Sequence, residues 1–110
     1  ELLLERVPGA NELPVAINLL LEEKKFTCVI GLGVVIKGST SHHHLVAESA
    51  GNALQSLAIK HNTPIINGIL VTDDLKSAEE RVTGTIDRGR EFAQASLHMA
   101  KYKEKWTTIS

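Results

Sequence analysis

The residues able to do chemistry gather in three short segments. His42-His43-His44 follows the loop Lys37-Gly38-Ser39-Thr40-Ser41, Glu12 follows Val7-Pro8-Gly9-Ala10-Asn11, and Arg81 and Arg88 flank a loop with Gly84. An imidazole takes and returns protons near neutral pH. Three adjacent histidines cannot face one ion, and helical metal pairs use i, i+4 spacing, so one histidine working on protons is the better use of the triplet; its bland reading is a solvated helix start. A Gly, Ser and Thr loop opening a helix offers N–H groups and hydroxyls to a single phosphate. The same residues also make an ordinary capped turn. The loop is not a P-loop, because Ser39 stands where that motif has Lys. The dinucleotide fingerprint fails too, since Ile36 stands at its third glycine. Arg81 and Arg88 can each grip a phosphate with a bidentate fork, or serve as plain surface charge. Glu12 can accept hydrogen bonds from a polyol or amine, or simply favour a helix start.

The elements that must position these groups read as strands alternating with helices. Residues 2–7 are apolar and strand-like, and Pro8-Gly9 ends them. Asn11 is placed to cap a helix with Pro14 in its first turn and Leu13, Ala16, Ile17 and Leu20 on one face. Phe26 to Ile36 is a nearly continuous apolar run, which predicts a strand buried on both faces of a parallel sheet. Cys28, within that run, reads as an inert buried thiol. A helix is expected from about 43 to 61, with Val46, Ala50, Ala53, Leu54 and Leu57 inward. Asn62-Thr63-Pro64 turns the chain into a strand over 65–71. Thr72-Asp73-Asp74 opens a helix to Arg81, residues 82–87 form a loop, and a last helix is expected over 89–103 with Phe92, Ala93, Leu97 and Ala100 inward. This pattern is α/β, with a three-layer αβα sandwich around a parallel sheet. In such sheets ligands bind beyond the carboxyl ends of the strands, where Val7 to Glu12, Lys37 to His42 and Val71 to Asp74 all fall.

Composition narrows the function classes. The 110 residues carry 12 Lys and Arg against 13 Asp and Glu, a net charge of −1, with 43% hydrophobic residues. One domain spanning residues 1–110 is expected, able to bury roughly 60–70% of its unfolded surface. Balanced charge argues against a nucleic-acid partner. One cysteine excludes an internal disulfide framework and a cysteine-ligated zinc finger. No apolar run approaches a membrane span and no secretory signal is visible, so a cytoplasmic protein is expected.

Taken in order, the segments are more specific than any one alone. Val7-Pro8-Gly9-Ala10-Asn11-Glu12-Leu13-Pro14, Gly33 to His42, Pro64 to Thr72, and Ala78-Glu79-Glu80-Arg81 resemble the 6,7-dimethyl-8-ribityllumazine synthase family, without a gap from Pro8 to Arg81. The resemblance implies a flavodoxin-like sheet. It implies condensation of 5-amino-6-(D-ribitylamino)uracil with 3,4-dihydroxy-2-butanone 4-phosphate, with loss of phosphate and two waters, and with no cofactor or metal. On this resemblance His42 moves protons. Ser39, Thr40, Arg81 and, after a gap in the alignment, Arg88 meet the phosphate of the butanone. Ala10, Asn11 and Glu12 lie along the ribityl chain, while Val34, Val35, Ile36 and Asn67 line the uracil site. The family forms homopentamers, in some members sixty-subunit icosahedral shells, and riboflavin synthase is a further expected partner.

This sequence departs from the family pattern at several of these positions. Asn11 replaces a common apolar or aromatic residue, Asn67 a frequent Phe, and His43-His44 a usual aromatic and Asp. The family also has an earlier strand and helix, of about 30 residues or more, whose strand lies in mid-sheet. No initiator Met opens this chain, and a longer natural polypeptide is expected. Two other readings compete. A catalytically inactive flavin- or lumazine-binding relative could lose His42 or Arg81, and both are present. A flavodoxin-like signalling domain needs an acidic cluster after its first strand, and none is visible.

Overall fold

A computed structural model of the chain describes residues 2–38, 42–73 and 88–107. Its elements are a 3-10 turn (Ala10–Glu12), helix α1 (Leu13–Glu23), strand β1 (Val29–Ile36), helix α2 (His42–His61), strand β2 (Ile65–Thr72) and helix α3 (Arg88–Thr107). The expected helix over 72–81, apart from its first two residues, and the loop over 82–87 lie outside the described residues.

β1 and β2 run parallel in register, from Val29 opposite Ile65 to Ile36 opposite Thr72. β1 starts three residues later than the apolar run suggested, and its partner explains why. Pro64 has no N–H for the ladder, but its carbonyl accepts the Val29 N–H at 2.9 Å, so pairing begins there. Thr72 and Asp73 also depart from expectation: Thr72 ends β2 instead of opening a helix.

Residues 2–7 form no strand among the described residues, contrary to expectation. A strand exists through its ladder, and the described sheet has only two members. Leu2 and Leu4 are correspondingly exposed, at 93% and 71%. Val7 alone in this segment reaches the core.

Helices cover both faces of the sheet. A Cβ at Gly31 would meet Leu54 Cδ1 at 3.3 Å and Ile17 Cδ1 at 3.5 Å, which puts α1 and α2 on the face of Gly31 and Gly33. A Cβ at Gly68 would meet Leu32 Cδ2 at 2.8 Å and Phe92 Cδ2 at 3.2 Å, which puts α3 on the opposite face. The chain is thus α/β with three layers in the order α, β, α. The core is Leu13, Ile17 and Leu54, bordered by Val7, Leu21, Val29, Leu57, Ile65 and Ile69.

The expectation that β1 is buried on both faces is corrected. Ile30, Leu32, Val34 and Ile36, all on the α3 side, remain 37–60% exposed. A single helix is narrower than two strands, and α3 lies mainly over β2.

Helix ends follow local chemistry, with one change from expectation. Asn11 is exposed and does not cap α1. The chain instead enters through the 3-10 turn, in which the Glu12 N–H donates to the Gly9 carbonyl at 3.1 Å, while Pro14 keeps its expected place in the first turn. α2 ends as a Schellman motif. Asn62 takes φ 50°, the Thr63 N–H donates to the Ala58 carbonyl, and the Asn62 N–H donates to that of Ile59.

α3 is longer than expected and turned differently. Ala93 and Leu97 are exposed, while Phe92, Ser96, Met99, Ala100 and Lys103 face inward. Lys103 Nζ donates to the Phe26 carbonyl at 3.2 Å and to Thr63 Oγ1 at 3.3 Å, and this anchored lysine fixes the helix's rotation. Cys28 is half-buried and precedes β1 instead of lying within it.

Candidate active site

The carboxyl ends of β1 and β2 are tied together. The Lys37 N–H donates to the Thr72 carbonyl at 2.8 Å, just past the last ladder pair. Thr72 itself is 3% exposed. Sequence reasoning placed Thr72 at a helix start, and the parallel register of the two apolar runs was the signal for its true place.

Two further segments arrive at this end. The Ala10–Glu12 turn crosses β1 at Gly33, where a Cβ would lie 3.6 Å from Ala10 Cβ. α2 runs back down the same face, with Leu54 against Gly31. From Gly31 to Ile36 the strand climbs about 16 Å. Eleven helical residues span the same distance. The first turn of α2 is therefore level with Ile36, about 10 Å beyond the level of Gly33 where the Ala10–Glu12 turn crosses.

The expected site residues sort as follows. Ala10 and Glu12 are half-buried in the turn, and Asn11 points to solvent. Glu12 folds back over its own entry, with Oε2 3.3 Å from where a Gly9 Cβ would stand. A side chain on Gly9 would crowd that carboxylate.

Val34 and Ile36 open onto the α3 side, and Val35 faces the α2 side. One flat substrate cannot touch all three side chains from one face, so the alternation divides this set in two. Arg88 lies in the first turn of α3, one turn before Phe92, and α3 descends the sheet from there to Lys103. This puts Arg88 at the carboxyl end as well, where its Nη1 donates to Glu91 Oε2 at 2.8 Å. A phosphate taking this fork would compete with an exposed i, i+3 ion pair, which is a weak competitor.

Asn67 stands apart from the others. It is the third of the eight residues of β2, five residues and about 16 Å short of Thr72. Its Oδ1 accepts the Ile69 N–H at 3.0 Å, and its Nδ2 would be 2.9 Å from a Cβ at Gly51. Ser39, Thr40 and Arg81 lie outside the described residues.

The histidine triplet is split by burial. His42 and His44 are exposed, whereas His43 is only 7% exposed, with its ring centroid 4.0 Å from that of His44. The burial of His43 went unread in the sequence, though the signal was present. Carrying the α2 stripe Val46, Ala50 and Leu54 back by three residues lands on it. Among the described residues, no group of three His, Cys, Asp or Glu is arranged to hold a metal ion.

Two exposed imidazoles at the start of α2, a half-buried carboxylate and two joined strand ends are groups that can bind a polar molecule and move protons on it. A separate groove of about 490 Å3 lies between α1 and α2, lined by residues that include Pro14, Asn18, Ala53 and Leu57. It holds none of these groups.

Comparison with known proteins bears on this arrangement. The family model for 6,7-dimethyl-8-ribityllumazine synthase matches residues 1–104. A protein of that name from Polaromonas sp. is 41% identical over 95 residues, which cover 86% of this chain and 60% of the relative. One from Nitrosomonas europaea is 40% identical over 100 residues, covering 91% of this chain and 59% of the relative. One from Burkholderia mallei is 39% identical over 100 residues, covering 91% and 56%. The chain thus spans between 56% and 60% of the length of these relatives. A match across nearly all of its residues, on an α/β frame of three layers, places the chain in the 6,7-dimethyl-8-ribityllumazine synthase family.

Proposed function

We propose that the chain is the greater part of a lumazine synthase, which joins 5-amino-6-(D-ribitylamino)uracil to 3,4-dihydroxy-2-butanone 4-phosphate. The observation that carries this reading is the family match over residues 1–104. The position of Ala10–Glu12, the end of β1 and the start of α2 toward the carboxyl end of the sheet supports it.

The chemistry needs few groups. The uracil's primary amine attacks the butanone carbonyl, and water leaves as the imine forms. Loss of a proton from the adjacent carbon expels phosphate. Ring closure by the ribityl-bearing nitrogen then releases a second water. Each step needs a proton moved over a short distance, and His42 is the group assigned to it. Glu12, with Ala10 and Asn11, holds the ribityl hydroxyls, and the ends of β1 hold the pyrimidine. Ser39, Thr40, Arg81 and Arg88 bind the phosphate. Charge that develops on the leaving phosphate is then already matched by donors. Holding both substrates in reacting geometry supplies much of the acceleration in a condensation. No cofactor or metal enters this scheme.

The same reading makes residues 1–110 one domain that works in the cytoplasm as a homopentamer. No described helix is long and apolar enough to cross a membrane. Phosphate release tests the chemistry. It is expected only when both substrates are present, in equal amount to the lumazine formed. Release at the same rate without the uracil would contradict a condensation.

A further inference from the structure

We propose that the Asn67 side chain, seated against Gly51, closes the outer edge of β2 to pairing with a further strand. The inference goes beyond the synthase reading and does not depend on it.

The ladder shows which backbone groups of β2 point outward. The Val29 N–H donates to the Pro64 carbonyl and the Lys37 N–H to that of Thr72, both at even-numbered residues. A parallel strand turns alternate residues to its partner, and the register is unbroken from Val29 opposite Ile65 to Ile36 opposite Thr72. The even residues of β2 therefore bond to β1, and Ile65, Asn67 and Ile69 direct their backbone groups to the other edge. Among the described residues, no strand pairs with that edge. β2 reads Ile-Ile-Asn-Gly-Ile-Leu-Val-Thr, without a charge or a proline. Such a segment at a sheet edge is a template for another chain.

Asn67 interrupts the template. Its Oδ1 accepts the Ile69 N–H at 3.0 Å, so an outward donor that an incoming strand needs is already used. The bond reaches two residues along the same strand, which lays the amide over the edge. Gly51 makes the room for it: a Cβ there would stand 2.9 Å from Asn67 Nδ2, inside van der Waals contact. Glycine inside a helix and asparagine inside a strand each go against the propensity of their element. Here the two meet, and the meeting gives both a use.

Hydrogen exchange and assembly mass test this on the 110-residue chain without substrate. Asn67→Ala should speed exchange of the Ile69 amide about tenfold, while the ladder-bonded amides of Gly68 and Leu70 keep parental rates. Asn67→Asp keeps an acceptor and should hold Ile69 within about threefold of the parent. Gly51→Ala crowds the seat and should loosen the same amide, and alanine favours the helix, so this variant keeps its fold. Asn67→Val removes the cap and favours strand. At micromolar concentration it should assemble beyond the parent's mass, and the outward amide of Ile65 should then gain protection, which association through side chains alone does not give. Parental exchange at Ile69 in Asn67→Ala overturns the proposal, and in Gly51→Ala it overturns the seat. A folded Asn67→Val that keeps the parent's mass, or that associates without protecting Ile65, overturns it as well. The exchange measurements decide the matter even where Asn67→Val does not fold.

Discussion

At the residue scale, burial separates groups that chemistry alone leaves alike. His42 is exposed, at the first position of α2. His42→Ala should therefore cut the condensation rate by about 10²- to 10⁴-fold, the usual worth of a proton-transfer group, with no change in unfolding midpoint. A rate within twofold of the parent would take His42 out of the mechanism. Leu54 is the opposite case, at 1% exposure and in contact range of the sheet at Gly31. Leu54→Ala should cost about 2–5 kcal/mol in urea unfolding, because it leaves a cavity under the sheet. A cost below about 1 kcal/mol would show that the Leu13, Ile17 and Leu54 cluster is not where stability resides. His42, Glu12 and the Lys37-to-Ser41 loop stand out in the sequence as candidate motifs, since chemistry fixes residue type and spacing. Asn67 shows the limit. Its motif is legible, but its hydrogen bond to the Ile69 N–H and its approach to Gly51 depend on which way β2 faces, which a short apolar run does not reveal.

At the element scale, the strands and helices were largely readable and their contacts were not. The apolar stripe of α2 gave its inward face, and the Asn62 turn gave its end. α3 misled, because a helix with few apolar residues offers two plausible faces. Lys103 decides between them through two hydrogen bonds that no hydrophobic pattern contains. Lys103→Ala should destabilise the chain by about 1–2 kcal/mol and raise amide exchange in the last two turns of α3. Exchange unchanged there would mean that the lysine follows the helix's rotation without setting it. Gly68 tests the other layer contact. A Cβ there would stand 3.0 Å from the Gly31 carbonyl oxygen and 2.8 Å from Leu32 Cδ2. Gly68→Ala should cost about 1–3 kcal/mol, since the backbone cannot yield as a side chain can. Residues 2–7 failed as a strand for a related reason. An apolar run is no strand by itself: a strand is a relation between two segments, and the described sheet offers this one no ladder.

At the scale of the whole molecule, the described residues leave apolar surface open. Ile30, Leu32, Val34 and Ile36 form a continuous apolar row on one face of β1, all exposed. Val15 and Leu19, four residues apart on α1, are each 59% exposed. Patches of this kind mark contact surfaces. Self-association is thus expected, and the synthase reading makes it fivefold. Sedimentation equilibrium should give about five times the 12.0 kDa chain mass. A single species at the chain mass over the micromolar range would contradict it. Nothing in periodicity or composition states a symmetry, so this part of the account comes from the family alone. Condensation of a ribitylaminouracil with a butanone phosphate is read from its product. Both substrates are mixed with the protein, and 6,7-dimethyl-8-ribityllumazine is followed by its absorbance, with the spontaneous rate subtracted. The account predicts a rate well above background that falls to near background in His42→Ala. A rate equal to background in folded, associated protein would contradict it.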